Sequence, residues 1–238
     1  QGNLLEAAKY YQHFVDNGFK DPIVFSNYGV ILKNLGKLKE AENYYRKAIE
    51  LKPDFPDAYS NLGIILKDLG KLEEALNLYR TAVKLKPDFP DAHSNLGNIL
   101  KDLGKLEEAE LSHHKAIELK PDFPEAHYNL GVILKDLGKL EESENHYRMA
   151  IKVKPDYAKA HYNLGNVLKK LSKLEESILS YQKAIKFKEN DAFYKLAIAD
   201  LGRVMLLKGN YKDGLQKINE GDGSITFDYD TCSMSIDL

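Results

Sequence analysis

The chain has 238 residues, 43% of them hydrophobic and 29% charged, and its 34 basic and 36 acidic side chains leave a net charge of −2. That balance argues against nucleic acid as a partner, the lone Cys232 excludes an internal disulfide framework, and no apolar run reaches the ~18–20 residues that cross a membrane. No charged-then-apolar leader follows Gln1, which says little about targeting in a chain that does not begin with Met; a cytoplasmic setting is the default expectation.

Residues 1–21 read as one helix, with Gly2, Leu4, Ala7 and Tyr11 in the register of the second half of a longer unit. A stack that opens on half a unit is expected to be part of a longer chain. Beyond it a period of 34 governs the sequence: Gly29, Gly63, Gly97, Gly131 and Gly165 are each 34 residues apart, and residues 56–89 match 90–123 at 24 positions. A fixed period of this length is the mark of a stacked-repeat architecture.

One unit, Pro56 to Phe89, shows what the period means. Tyr59, Leu62, Ile65, Leu66 and Leu69 fall on one face of a helix. Pro56 suits the first helical turn and Asp57 the positive end of the helix dipole. Gly70 stands where a left-handed cap ends that helix. Leu72, Ala75, Leu76, Tyr79, Ala82 and Val83 mark a second helix, which Pro87 stops. Gly63 in mid-helix costs about 1 kcal/mol relative to Ala, so its recurrence predicts a backbone lying against it. Such a hairpin cannot bury its own apolar face and must stack on its neighbours.

The register breaks after Ile185, where Glu189 replaces the proline and Gly202 follows Gly165 by 37 residues. A longer helix is predicted over Asp191–Lys208, apolar on more than one side, followed by a weak helix over Tyr211–Asn219 with Gly214 in place of Ala. Residues 220–238 leave the helical pattern, and Ile225, Phe227 and Tyr229 alternate like a strand. Residues 224–230 are expected to fold back over Leu206 and Leu207, or else to begin a further domain.

Counted from Pro56 as position 1, a large residue at 4, Leu at 7, Gly at 8, Ala at 20, Tyr at 24, Ala at 27 and Pro at 32 resemble the tetratricopeptide repeat. Five full repeats span 22–191, between the half-repeat 1–21 and a divergent repeat over 192–220, with a non-helical tail over 221–238. Ser143 and Ser177 depart from Ala at position 20, Ser172 from a turn Gly, and His113 from the aromatic. The resemblance implies an all-α fold: a right-handed α-α superhelical solenoid of helix hairpins with a short extended tail.

It also implies that positions 2, 5, 6, 9, 12 and 13 line the concave face. Position 6 is Asn in all five repeats: Asn27, Asn61, Asn95, Asn129 and Asn163. A side-chain amide both donates and accepts, so it can pair with a peptide backbone of any sequence. This ladder resembles the lumen of the superhelix in proteins of the O-linked N-acetylglucosamine transferase type, where it holds extended peptides. The alternative is a solvated polar face. Position 12 is Lys33, Lys67, Lys101, Lys135 and Lys169, with Asp68, Asp102 and Asp136 beside the middle three and Lys170 beside the last. Lys next to Asp nearly cancels, whereas Lys159, Lys169, Lys170 and Arg203 read as a patch without neighbouring acids, fit for an acidic ligand. Asn98, Asn129 and Lys159 match positions at which some family members bind a C-terminal carboxylate, though Ser94 and Asn163 stand where that clamp carries basic residues.

Chemistry beyond binding is sparse. His93, His127 and His161 share position 4, but packed helices lie ~8–10 Å apart, too far for rings one repeat apart to share an ion at ~2.0–2.1 Å. They read as aromatic stand-ins, and His113–His114 lacks further ligands. There is no phosphate loop or nucleophile elbow, and Asp228-Tyr229-Asp230 is a D-x-D of a kind that arises by chance. The expected function is a scaffold, not an enzyme and without cofactor, that holds a protein or peptide partner along its concave face. The alternatives are a substrate-recruiting arm of a larger glycosyltransferase or hydroxylase, and a spacer that self-associates end to end.

Overall fold

The computed structural model describes residues 2–187, 190–221, 224–228 and 233–237. Its helices are α1 (Gly2–Asp16), α2 (Pro22–Asn34), α3 (Leu38–Leu51), α4 (Pro56–Asp68), α5 (Leu72–Leu85), α6 (Pro90–Asp102), α7 (Leu106–Leu119), α8 (Pro124–Asp136), α9 (Leu140–Val153), α10 (Ala158–Lys170), α11 (Leu174–Lys186), α12 (Asp191–Leu207) and α13 (Tyr211–Glu220). Two strands follow, β1 (Ser224–Asp228) and β2 (Ser233–Asp237). The chain divides into two compact units, Gln1–Pro121 and Asp122–Leu238. In the first, α2 pairs with α3, α4 with α5 and α6 with α7, α1 packs on α2, and each hairpin packs on the next. In the second, α8–α9, α10–α11 and α12–α13 stack in the same way. The repeats are all-α, as expected.

The turn inside each hairpin follows from one residue. Gly36, Gly70, Gly104 and Gly138 take φ between +75° and +79°, the left-handed conformation that only glycine adopts without strain. In the first of them Lys37 N–H reaches Leu32 O at 2.9 Å and Gly36 N–H reaches Lys33 O at 2.9 Å, the Schellman pattern that satisfies terminal carbonyls. Ser172 occupies the same place with φ +59°. Among the described residues side-chain N-caps form at Asp21, which accepts from Ile23 and Val24, and at Asn190, which accepts from Phe193; α4, α6 and α8 open on proline without one.

The mid-helix glycines have a different reason from the one expected. A Cβ on Gly63 would stand 2.8 Å from the Tyr79 ring, and Gly29, Gly131 and Gly165 meet Tyr45, Tyr147 and Tyr181 at 2.8–2.9 Å. What lies against these glycines is an aromatic ring from the second helix of the same hairpin, not a backbone. Backbone lies close at Gly221, whose Cβ would meet Lys195 O at 2.6 Å, and between Gly202 and Gly214, where a Cβ on Gly202 would meet Gly214 O at 2.6 Å and one on Gly214 would meet Gly202 O at 2.9 Å. That last contact explains glycine at 214, where the repeats carry Ala or Ser. The serines at position 20 also have a role: Ser143 and Ser177 donate to Gly131 O at 2.6 Å and Gly165 O at 2.8 Å.

The second helices carry ion pairs that link one repeat to the next. Arg46 binds Glu42 at 2.7 Å and Glu74 at 3.4 Å, Lys71 reaches Glu42 at 3.2 Å, and Arg80 binds Glu108 at 2.9 Å. In the second unit Arg148 bridges Glu144 and Glu176, and Lys173 reaches Glu144 at 2.8 Å. Burial works against charge on Glu42 and Glu144, but the hydrogen bonds from their basic partners outweigh it and hold both carboxyls below the usual range.

The tail departs from expectation. Residues 224–228 are extended, but they pair with 233–237 in antiparallel register from Ser224↔Asp237 to Asp228↔Ser233. Leu207 is 65% exposed, so the strand does not shield it. Leu206 is half-buried by α13, where its Cδ2 lies 2.8 Å from a Cβ built on Gly214. The partner strand was legible as well, since Met234 and Ile236 alternate with Ser233, Ser235 and Asp237 and pair in register with Phe227 and Ile225. Tyr229 and Asp230 lie outside the described residues.

Candidate peptide-binding face

The first helix of each hairpin sets the candidate site. In the first unit Asn27, Asn61 and Asn95 follow Ser26, Ser60 and Ser94, whose side chains are buried. The three amides lie outside the core and make no hydrogen bond among the described residues. Small buried serines beside them leave that face of α2, α4 and α6 without bulk. Asn98, one turn on in α6, is likewise without a side-chain partner among the described residues, because its neighbour His113 offers no hydroxyl. Its counterpart Asn166 accepts from Tyr181 Oη at 2.7 Å.

In the second unit the same column is altered by tyrosines. Tyr128 and Tyr162 replace the small serine one residue before each amide. Asn163 Nδ2 donates to Tyr128 Oη at 2.9 Å, while Asn129 keeps a side chain without a hydrogen bond among the described residues. Tyr162 Oη donates to Asp200 Oδ2 at 2.6 Å, and burial together with that carboxylate raises its pKa. Asp200 stands in the column itself: Asp200-Leu201-Gly202 repeats the Asn163-Leu164-Gly165 pattern. That D-L-G was readable in the sequence as the next rung.

Asp200 changes the charge reading. It is buried, and Arg203 lies 3.4 Å and Lys169 3.8 Å from Oδ1. Two cations of the patch expected to lack acids therefore have one between them, contributed by the helix that follows. Lys159 and Lys170 are exposed at the same end. Earlier in the face the pairing is as expected: Lys67 reaches Asp102 at 3.0 Å, Lys101 lies 3.9 Å from Asp102, and Lys135 lies 3.4 Å from Asp136. Lys33 is half-buried at the same position in α2.

The histidines at position 4 serve packing. His93 and His161 each give Nε2–H to a proline carbonyl, Pro87 O and Pro155 O, at 2.9 Å. His127 Nδ1 meets His146 Nδ1 at 3.1 Å, so the two rings share one proton. Among the described residues no three metal-ligating side chains gather.

Comparison with known proteins follows the same lines. The family model described as "TPR repeat" matches residues 29–70, 65–104, 97–138 and 131–172, and that described as "Tetratricopeptide repeat" matches 158–191. No curated protein sequence matches. Among solved structures, YrrB, described as a TPR protein with an unusual peptide-binding site, superposes with a TM-score of 0.64 at 24% identity over 80% of this chain and 98% of its own. PilF of Pseudomonas aeruginosa gives 0.73 at 17% identity, over 82% and 88%. A chain of the APC/C hetero-tetramer Cut9–Hcn1 gives 0.72 at 21%, over 92% of this chain but 43% of that one. At these identities the structural likeness speaks to the fold. The recurring glycine and aromatic of each hairpin, and family models that together run from residue 29 to 191, show that the chain belongs to the tetratricopeptide repeat family.

Proposed function

We propose that the chain binds an extended segment of a partner protein along the amide-bearing face of its first helices, and that it acts by binding rather than by catalysis. The observation that carries this is the set Asn27, Asn61 and Asn95: one amide per hairpin on successive first helices, none engaged within the chain's described residues. An amide held this way can donate to a peptide carbonyl and accept from a peptide N–H, so recognition follows backbone rather than side chain. The peptide-binding site of YrrB, a protein of the same fold, supports the reading. In the second unit Asp200 neutralises Lys169 and Arg203 in place, which disfavours strongly acidic segments there.

The test is an array of unstructured 12-residue peptides probed with the labelled chain and with its Asn27→Ala, Asn61→Ala, Asn95→Ala triple variant. Each lost hydrogen bond removes roughly 0.5–1.5 kcal/mol, so the triple variant should lose at least about tenfold in affinity while its circular dichroism stays the same. Equal retention by both proteins would remove the amide column from the binding site.

A further inference from the structure

A second site lies away from the amides, on the second helices. Position 23 normally carries a bulky side chain that covers position 4 of its own hairpin. Tyr44 packs on Phe25 with ring centroids 5.8 Å apart, and His146 stacks on His127 at 5.4 Å. In the fifth repeat that residue is Ser180, whose hydroxyl turns back to Glu176 O at 2.9 Å. Phe187 stacks on His161 at 5.8 Å from the end of α11, and the place that a position-23 ring would take remains a cleft of about 350 Å³ between α9 and α11, with His161 and Leu164 of α10 among its lining residues. Leu179, beside Ser180, is 58% exposed at the edge, where repeats one, two and four carry Asn43, Asn77 and Asn145.

The rim is positive. Arg148 is committed to Glu144 and Glu176. Lys152 and Lys183 are exposed and form no ion pair among the described residues. An occupant must therefore bring an apolar ring to replace the absent one and negative charge to meet the two lysines.

The same arrangement is written once more, 68 residues earlier, within the first unit. Leu111 and Ser112 repeat Leu179 and Ser180, and Leu111 is 70% exposed. Ser112 donates to Glu108 O at 2.9 Å, Arg80 binds Glu108 at 2.9 Å, and His93 is tied to Pro87 O as His161 is to Pro155 O. Lys84 and Lys115 stand for Lys152 and Lys183, although Lys115 is already paired with Glu118 at 2.8 Å. The register between the two copies carries Asn145 and His146 instead, and no vacancy arises there. Coincident recurrence of the small residue, the exposed leucine, the tethered histidine and the lysines points to a shared use.

We propose that the α9–α11 cleft receives an aromatic side chain carried on an acidic segment of a partner protein, and that the α5–α7 copy takes the same kind of segment more weakly. The in-chain rings of Tyr44 and His146 show what fills this place in other repeats, and the unpaired lysines supply the charge preference.

The probe is a fluorescein-labelled acidic nonapeptide, Glu and Asp throughout with one central Phe, followed by anisotropy and by methyl NMR of the leucines. Binding should shift the Leu179 methyls, and replacing the central Phe by Ala or the acids by Lys should each cost at least tenfold. Ser180→Tyr, which rebuilds the missing ring, should weaken binding at least tenfold, as should Lys152→Glu with Lys183→Glu, a change that leaves the packing alone. Ser112→Tyr should have the smaller effect, and the Asn27, Asn61, Asn95 triple variant none, so this site and the amide column fail separately. If Ser180→Tyr does not fold, the charge variant and the Leu179 shifts decide. Equal binding of the Phe and Ala peptides, equal binding of the Lys peptide, or unchanged affinity in the lysine variant would overturn the proposal. A dimer of the chain alone that Ser180→Tyr dissolves would assign the cleft to a second copy instead.

Discussion

His113 fills the place that tyrosine takes in the other four full repeats, and there it is fully buried with neither ring nitrogen bonded. Burial, reinforced by the positive charge of Lys101 and then His114, pushes its pKa down to about 3. Unfolded histidine titrates near ~6.5, so below that pH the unfolded chain takes up a proton that the folded chain refuses. Stability is therefore undiminished above about 6.5 and falls as pH drops toward 3, by at most ~1.4 kcal/mol per unit. His113→Phe removes both the titration and two unsatisfied buried nitrogens, and should stabilise by about 1–2 kcal/mol at neutral pH. Urea unfolding at pH 7.5 and pH 5 provides the check: the advantage of the variant should grow by roughly 2 kcal/mol at the lower pH. A constant advantage would mean that the ring is hydrated in solution. Glu42 and Glu144 act in a lower window. Their depressed pKa values add stability above the ordinary carboxylate range, and it is lost only as pH falls through those lowered values.

Two kinds of glycine hold the hairpins, and they should answer substitution differently. At Gly131 the obstacle to a Cβ is the Tyr147 ring at 2.8 Å, a side chain that can tilt; at Gly202 it is Gly214 O at 2.6 Å, with Ile218 N at 2.9 Å behind it. Gly131→Ala should cost about 1–3 kcal/mol, as overpacking does. Gly202→Ala should exceed it, because α12 and α13 must separate along their backbones. Urea midpoints of the two variants give the order, and a reversed order would place the strain in the ring. The helices themselves were legible in the sequence because 34-residue recurrence, proline starts and glycine turns all agree. The partner of each glycine was not. Tyr79 follows Gly63 by the same 16 residues that separate Gly29 from Tyr45, but a strict period makes every spacing recur, so recurrence alone cannot say which pair touches. For the face, the sequence supplied the amide column and the Lys–Asp pairing. The D-L-G at Asp200 was readable as the next rung, but its place beside Lys169 and Arg203 was not, because a 37-residue step takes that helix out of the repeat's register. The Ser180 vacancy was not legible either, because a small residue signals nothing until its neighbours are in place.

Within the first unit α1 leaves Leu5, Tyr10 and Phe14 open to solvent, while Tyr45, Tyr79 and Leu62 of the following hairpins are fully buried. In a stack, stability is close to a sum of repeat and nearest-neighbour contributions, so a helix with one packed side should open first. Amide hydrogen exchange should find α1 the least protected of the helices α1–α6, with α4 and α5 exchanging orders of magnitude more slowly. Uniform protection would show that α1 is held by contacts beyond α2. The ring-in-notch contact has a further bearing on how such a chain can change over time. Glycine and ring belong to the same hairpin, 16 residues apart, so each hairpin carries its own closure and asks nothing of its neighbours at that point. A mutation in the notch costs least if the ring shrinks with it, which makes the two positions drift as a pair. Copying or losing a whole hairpin leaves every such pair intact. Inheritance in this architecture is thus strict toward single letters in the notch and permissive toward paragraphs, and two passages set 68 residues apart, each with its leucine, serine and tethered histidine, are what that permissiveness would leave behind.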